Sequence, residues 1–260
     1  MIWKAESYPV HLCGSIHVLH KKQKPLLDRY AHYISSADTI AFETDLANTH
    51  QIDNTLLYYP SGLSIQNDIP KKLYKEARKL WDVNGVMGIE LDQLTPCTAA
   101  TWMFFNYVGQ RGYLEANGVD QTLLANARKD QSKTFIALED INAPLRAFDS
   151  AMKEEQVQYL ETITYHLKDQ FRELESMIQA IMRSDDQWLL DYLEKYLALY
   201  PTLFDKLILE RNRNWLPKLL EIIELGKPAA IVVGALHCVG PQGLLELLSQ
   251  NGIQFQGISD

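Results

Sequence analysis

The sequence predicts an α/β fold with a mostly parallel central sheet and large helical insertions. Two observations favour this class: short apolar runs of strand length are spread along the 260 residues, and long stretches of helical periodicity separate them. The runs are rich in β-branched or aromatic residues, and several are bounded by Gly, Pro or charge. The predicted strands are residues 10–13, 39–42, 134–138, 229–233 and 253–258.

The first and last helices are short connections between strands. Residues 25–37 carry an apolar stripe at helical spacing, so the first two strands and this helix form a βαβ unit with parallel strands. The stripe consists of Leu26, Leu27, Tyr30 and Ile34. Residues 241–250 form a short helix before the last strand, and Asn251-Gly252 supplies its C-terminal stop.

The long middle of the chain is predicted to be helical. From Leu160 the apolar positions follow in steps of three and four, which is typical of a helix with one buried face. These positions are Leu160, Ile163, Leu167, Phe171, Leu174, Ile178 and Ile181. Ser184-Asp-Asp-Gln187 is interpreted as a capping box that begins a new helix at Trp188. Pro201 ends that helix, and another follows over about residues 202–225, kinked at Pro217.

The whole chain, residues 1–260, is interpreted as a single domain with helical insertions at about 50–130 and 145–226. Packing of the heptad-like middle run as core or lid is favoured, and a homodimer that pairs through the insertions stays open as an alternative. A second apolar cluster is interpreted as core, and an apolar cleft or a dimer face stays open as an alternative. It consists of Trp102, Met103, Phe104 and Tyr107.

Composition excludes several classes of protein. The chain has 25 basic and 33 acidic residues, a net charge of -8, which argues against nucleic-acid binding. Cys13, Cys97 and Cys238 have no C-x-x-C spacing, so neither a disulfide framework nor a zinc finger is expected, and a reducing compartment fits. No apolar stretch is long enough for a transmembrane helix. The expected location is cytoplasmic if Met1 is native, and exported if a signal peptide was trimmed.

Ionisable side chains follow four predicted strands where each strand ends. The carboxyl ends of parallel strands lie at one edge of a sheet, where ligands bind. This edge therefore receives two imidazoles and several carboxylates. The segments that follow the strands are Gly14-Ser-Ile-His17, Glu43, Glu139-Asp140 and Gly234-Ala-Leu-His237.

The repeated G-x-x-H pattern suggests chemistry at this edge. Glycine at a strand end permits backbone angles closed to other residues and lets a neighbouring chain or ligand approach closely. His17 and His237, with carboxylate help, would suit Zn, Mn, Co or Fe with one position left for water. Alternatively, one histidine would act as a general base oriented by Glu43. The remaining histidines are interpreted as structural or solvated, with His20 beyond direct contact with the site.

Taken in order, several motifs resemble those of the TraB/PrgY/GumN proteins, which include the Tiki metalloproteases and are remotely similar to the ChaN and erythromycin-esterase folds. The resemblance covers most of the chain. The matching segments are Ile2-Trp-Lys-Ala-Glu6, Leu12-Cys-Gly-Ser-Ile-His-Val18, Ala41-Phe-Glu-Thr-Asp45, Gly118-Val-Asp120, Ala137-Leu-Glu139, Leu209-Glu-Arg-Asn212, and Val233-Gly-Ala-Leu-His237 with Gly240-Pro241 and Leu244.

The resemblance implies a functional centre formed by His17, Glu43 and His237. Three further residues, Asp120, Glu139 and Arg211, would line it, and Asn212 belongs to the matching Arg-Asn helix. Family members with activity are metal-dependent peptidases, and others are linked to shutting down peptide pheromones. Many members carry an export signal or a membrane segment, and neither is recognised in this sequence.

Two functional hypotheses follow. The first is a metal-dependent hydrolase of a peptide or small acyl substrate, in which His17, His237 and Glu43 hold the ion. Glu43 or Glu139 would accept a proton from the bound water, and Arg211 would steady the oxyanion or anchor a substrate carboxylate. Asp120 and Asn212 are assigned to substrate binding. The second is a non-catalytic protein on the same scaffold that binds a peptide or a haem or iron cofactor.

Overall fold

A six-stranded, mostly parallel sheet lies at the centre of the computed structural model, which describes residues 1–45 and 49–258. With labels in chain order, its strands lie side by side as β6 (Thr134–Ala137), β4 (Thr39–Phe42), β7 (Ala229–Gly234), β2 (Val10–Ser15), β1 (Ile2–Ala5) and β8 (Phe255–Gly257). The first four are parallel, and β1 runs antiparallel to both of its neighbours. The predicted α/β class and mostly parallel sheet are confirmed.

All five predicted strands are present, and three further strands were not predicted. One of these, β1, has four residues and pairs with β2. The other two, β3 (Leu19–His20) and β5 (Tyr113–Leu114), form a separate antiparallel pair. Segments this short contain too few side chains to establish an alternation, so the sequence pattern does not reveal them.

Ten α-helices occur among the described residues. They are α1 (Lys24–Ser35), α2 (Lys71–Asn84), α3 (Pro96–Gly109), α4 (Val119–Ala127), α5 (Ala143–Ser150), α6 (Lys153–Arg183), α7 (Asp186–Leu199), α8 (Pro201–Phe204), α9 (Glu210–Glu224) and α10 (Leu244–Gln250). Helices α2 to α4 lie between β4 and β6, and α5 to α9 lie between β6 and β7. The limits of the single domain and of its insertions stay a prediction. None of the described helices has the length and apolar character that crossing a bilayer requires.

The junction between α6 and α7 differs from the predicted capping box by one residue. Ser184 adopts a left-handed conformation with φ of 54° and ends α6, so it does not cap the next helix. The cap of α7 is Asp185, whose carboxylate accepts a hydrogen bond from the backbone N–H of Trp188 at 3.0 Å. The prediction that Ser184 provides the cap is therefore wrong.

The predicted helix over residues 202–225 is interrupted near its start. Pro201 does end α7, and it occupies the first turn of the short helix α8. A π-helical segment, Asp205–Leu209, then joins α8 to α9, and α9 continues through Pro217. The wider turn of a π segment is often found at functional sites. Here it lies directly before the residues of α9 that reach the sheet edge.

Two main apolar cores hold the molecule together. One surrounds the sheet, and the other lies between α2, α3 and α6. The predicted stripe of α6 enters both cores: Leu160 and Ile163 lie in the second, and Ile178 and Ile181 lie in the first. Between these two stretches the helix has a non-helical residue, His166. Core packing of the stripe is thus observed within the described chain.

The aromatic segment of α3 is also part of a core. Met103 and Tyr107 are buried in the second core, with Trp102 and Phe104 packed against it. The core interpretation of this cluster is therefore the one that the structure supports. The dimer face and the apolar cleft that were its alternatives stay predictions.

Glu155 connects α6 to the start of α8, and we expect its removal to destabilise the protein. Its buried carboxylate accepts hydrogen bonds from the backbone N–H groups of Thr202 at 3.1 Å and Leu203 at 2.8 Å. Glu155→Ala leaves both N–H groups without this partner, which should lower the free energy of unfolding by about 2 kcal/mol. Urea denaturation followed by circular dichroism measures the change. The matched control is Glu154→Ala at the exposed neighbouring position; equal losses in both variants would contradict the assignment.

Candidate functional site

Four adjacent parallel strands bring their carboxyl ends to one edge of the sheet. Glu43 directly follows β4, Gly234 ends β7, and Glu139 follows β6 after one residue. The backbone pairing continues past the strands, because the N–H of Glu139 donates to the carbonyl of Glu43 at 2.9 Å. His17 and His237 follow β2 and β7. The edge expected from the sequence is therefore present, with Glu43, Glu139 and His237 close together.

Arg211 of α9 occupies the centre of this edge. Its Nη2 donates to Glu43 at 2.5 Å and to Glu139 at 2.6 Å, and its Nε donates to Glu139 at 2.9 Å. Its Nη1 donates to the carbonyl of Leu207 at 2.8 Å and lies 3.3 Å from Nε2 of His237. A guanidinium has five N–H donors, and these contacts use all of them. As arranged, Arg211 holds the site together and has no N–H left for a substrate.

Glu43 is held from both sides. Its Oε1 accepts from the backbone N–H of Gly234 at 2.6 Å, and its Oε2 accepts from Arg211. Burial opposes the charged form, but Arg211, His237, His17 and the N–H of Gly234 together lower the pKa of Glu43 to about 2. An ionised carboxylate with this pKa is a weak proton acceptor at neutral pH. The arrangement favours Glu43 as an orienting charge over Glu43 as a general base.

Glu139 is the second carboxylate on the guanidinium. Its Oε1 accepts from Arg211, and its Oε2 accepts from Nε1 of Trp215 at 2.9 Å. Burial raises the pKa of Glu139 above its ordinary value, and this effect outweighs the opposing influence of Arg211. With these hydrogen bonds, both carboxylate oxygens of Glu139 have protein partners.

His237 is buried and neutral. Asn212 donates its amide hydrogens to the carbonyls of His237 at 3.1 Å and Gln242 at 2.9 Å, so its Oδ1 must accept from Nδ1–H of His237 at 2.7 Å. Nε2 is then the acceptor that faces Arg211. Burial lowers the pKa of His237 to about 3, and the charge of Arg211 acts in the same direction. Asn212 is fully buried and positions His237, so the structure does not present it to a substrate.

His17 has a different environment, open to solvent and paired with Asp120. Its Nδ1 lies 2.8 Å from Oδ2 of Asp120, while 59% of its side chain is exposed. The N-terminus of α4 sets this geometry, since the N–H of Val119 donates to the carbonyl of Ile16 at 3.0 Å. Gly118 allows the close approach: a Cβ there would lie 2.1 Å from the carbonyl oxygen of His17.

The Asp120 carboxylate favours a charged ring at His17. Loss of hydration lowers the pKa of His17, whereas the charge and the hydrogen bond of Asp120 raise it, and the net effect of all its neighbours is a pKa of about 9. Glu43 raises it further and Arg211 lowers it, so His17 lies within electrostatic reach of the Arg211 network. The predicted site residues thus form two neighbouring groups: the Arg211 network, and the His17–Asp120 pair.

The glycines of the two G-x-x-H motifs allow neighbouring groups to lie close to the backbone. A Cβ on Gly234 would lie 3.3 Å from Oε1 of Glu43 and 3.4 Å from the ring of His237. A Cβ on Gly14 would lie 3.2 Å from Ala235. Neither glycine has a positive φ, so the expectation of special backbone angles at these strand ends is wrong.

The Arg211 network does not fit a divalent ion as it is arranged. Over residues 1–45 and 49–258, no group of three or more His, Cys, Asp and Glu side chains is placed to hold a metal. The oxygens of Glu43 and Glu139 accept from other groups, and Nε2 of His237 faces the guanidinium. A cation at these atoms would be repelled by the buried charge of Arg211. The metal ion expected from the sequence stays a prediction.

Sequence reasoning missed Trp215. Besides its hydrogen bond to Glu139, its ring lies 4.5 Å from that of His237 and 4.8 Å from the guanidinium carbon of Arg211. The sequence feature that could have indicated Trp215 is its position four residues after Arg211, since residues four apart share a helix face. That signal becomes informative only once Arg211 is known to face the site.

The family model of the TraB/PrgY/gumN family matches residues 1–256 of the chain, and the protein belongs to this family. The resemblance noted from the motifs is confirmed. No curated protein and no solved structure matches the chain. Membership by itself gives neither the reaction nor a metal.

We expect Arg211→Gln to destabilise the protein strongly. The variant leaves Glu43 and Glu139, both nearly buried, without their shared positive charge, and loss of one partner from a buried ion pair costs about 3–5 kcal/mol. The free energy of unfolding in urea measures this. Arg213→Gln is the control on the same helix, because Arg213 makes an exposed ion pair with Asp205 and should change stability by less than about 1 kcal/mol. Similar losses in the two variants would contradict the central role of Arg211.

We expect His237 to make the protein less stable in acid. The unfolded chain binds a proton on this histidine below pH about 6.5, whereas the folded pKa is about 3. Stability therefore falls as pH drops through this window, by about 2 kcal/mol between pH 6.5 and pH 5. Urea unfolding at both pH values should show this loss in the parent and in the exposed control His50→Gln. In His237→Gln this loss of stability between the two pH values should be smaller. A loss as large as that of the parent would contradict the prediction.

Proposed function

We propose that this member of the TraB/PrgY/gumN family is a hydrolase of peptides or small acyl compounds, with His17 as the base that activates water. The supporting observation is the His17–Asp120 pair. One ring nitrogen lies 2.8 Å from a carboxylate oxygen of Asp120, and the side chain is 59% exposed. A histidine whose one nitrogen is held by a carboxylate, with the other side accessible, is suited to general-base catalysis.

The proposed reaction adds one water molecule across an acyl bond. Nε2 of neutral His17 takes a proton from water as the water oxygen attacks the substrate carbonyl. The protonated ring then gives that proton to the leaving group as the acyl bond breaks. Asp120 keeps the proton of Nδ1 in place and stabilises the positive ring that forms between the two transfers.

The Arg211 network places two opposing charges near His17. Glu43 raises the pKa of His17 and so favours the positive ring that forms during the reaction, whereas the charge of Arg211 lowers it. Because all five N–H donors of Arg211 already have acceptors, its proposed role is to hold Glu43 and Glu139 in place. In this proposal Arg211, Asn212 and Glu139 are positioning residues, and His17 is the residue that meets the substrate.

Two sequence-based hypotheses remain beside this one and have distinct signatures. A divalent ion on His17, His237 and Glu43, of the kind expected from the sequence (Mn, Co, Zn or Fe), requires the guanidinium to move away from Glu43. Metal analysis of the purified protein, with activity before and after chelation, tests that version. Tight binding of a peptide or of haem, with no turnover of any ester or peptide, would favour the non-catalytic alternative.

We expect His17→Gln to lower kcat for p-nitrophenyl acetate or a responsive peptide by at least about 100-fold. Asp120→Asn should lower it as well, and His32→Gln, at an exposed position, should not. The neutral ring is the base and the pKa of His17 is about 9, so kcat/KM should rise about tenfold per pH unit below pH 9 and then level off. In Asp120→Asn the plateau should begin at lower pH. Unchanged turnover in His17→Gln would refute the proposal.

A further inference from the structure

An aromatic cavity lies beside His17. Its volume is about 220 Å³, and His17 forms part of its wall together with residues of α3, α5, α6, α7 and α8. The aromatic side chains that line it include Phe104, Phe105, Phe148, Tyr192, Tyr196 and Phe204. The helical segments therefore build an apolar space next to the residue that we assign as the base.

The wall contains few polar atoms, and those of Tyr196 and His17 already have partners. No Asp, Glu, Lys or Arg side chain is among the lining residues. The hydroxyl of Tyr196 lies 2.8 Å from Oε1 of Gln170 and 2.7 Å from Oε2 of Glu173. Apart from the ring of His17, the wall offers no charged partner, so a charged group held away from His17 would lose its hydration without compensation, which is costly. The lining beyond His17 therefore favours an uncharged group.

The rings of the wall are arranged as a continuous surface. Those of Tyr192 and Tyr196 are stacked with centroids 4.4 Å apart, and Phe204 lies 5.0 Å from Tyr196. Aromatic surfaces of this kind bind a further ring by offset stacking or edge contact. A cavity of about 150 Å³ accepts benzene, so one of about 220 Å³ has room for a phenyl ring and a short alkyl chain.

We propose that the substrate carries an uncharged apolar group of phenylalkyl size, which this cavity holds while the adjoining carbonyl lies at His17. The reaction part of this inference rests on the proposed function; the binding part does not. The cavity acts as the specificity pocket of the site.

Two measurements test the inference. The first compares kcat/KM for p-nitrophenyl acetate and p-nitrophenyl 3-phenylpropanoate, each corrected for spontaneous hydrolysis. We expect the second ester to be preferred by about 10- to 100-fold, the range that burial of a few carbons provides. The second measures binding of the non-hydrolysable ketone 4-phenyl-2-butanone by calorimetry. We expect this ketone to bind.

The cavity-filling variant is Met177→Trp, since Met177 lines the cavity and takes no part in either hydrogen-bonded group. It should reduce the ester preference below about threefold and abolish ketone binding. Ser176→Trp, at the exposed neighbouring position, is the matched control and should retain both properties. Leu174→Phe, also in the wall, replaces Met177→Trp if that variant does not fold by circular dichroism.

The outcomes separate this inference from the proposed reaction. Equal kcat/KM for both esters without ketone binding overturns the specificity pocket and leaves the hydrolase standing. Ketone binding that the filled variant loses, with neither ester hydrolysed, supports the pocket and contradicts the hydrolase. If Met177→Trp keeps both the preference for the phenylpropanoate ester and the binding of the ketone, this cavity is not the specificity pocket.

Discussion

A guanidinium buried between two carboxylates is the interaction on which the strand-end site depends. Charges removed from water cost several kcal/mol each, and such a cluster is tolerated only when its hydrogen bonds are satisfied. Arg211 meets this condition because each of its N–H groups has an acceptor. Those acceptors follow β4, β6 and β7 or belong to the π-helical segment. The interaction therefore fixes α9 against the carboxyl edge of the sheet, and the neighbouring side chains take their positions from it.

The two histidines of the G-x-x-H motifs have pKa values shifted in opposite directions, because their neighbours differ. His237 is enclosed, faces the guanidinium and has a pKa of about 3, whereas His17 faces Asp120 and has a pKa of about 9. The G-x-x-H spacing explains why both lie at the strand ends, and it does not determine their protonation. Partner and burial decide that, since a nearby carboxylate favours the charged ring and a buried cation disfavours it. His237 thus serves the architecture of the edge, and His17 is the histidine available to a substrate.

The strand ends were predictable from the sequence because parallel topology alone brings Glu43, Glu139 and the two histidines to one edge. Their partners Asp120, Arg211 and Asn212 were expected only from the family resemblance, because the sequence carries no period that relates α9 or α4 to those strands. The sequence also could not show that the guanidinium of Arg211 donates to both Glu43 and Glu139. Ser184 was misassigned because a left-handed serine ends a helix as readily as a serine begins one, and only the backbone angle separates the two. The cavity wall had one weak signal, the apolar cleft left open as an alternative at the aromatic cluster that includes Phe104, which does line the cavity. The rest of the wall had none, since helical periodicity predicts a buried face and not what that face encloses.

The two parts of the fold act on the same histidine in complementary ways. The sheet edge holds the charges near His17 and fixes one side of its ring through Asp120, while the helices provide an apolar wall on the side where a substrate would lie. An apolar guest in that cavity would displace water from one face of the ring and lower the local dielectric. A lower dielectric strengthens the attraction between the ring and the Asp120 carboxylate and also penalises the charged ring itself. Occupation of the cavity would therefore shift the pKa of His17, so binding of the apolar group and proton transfer would be coupled through a single side chain.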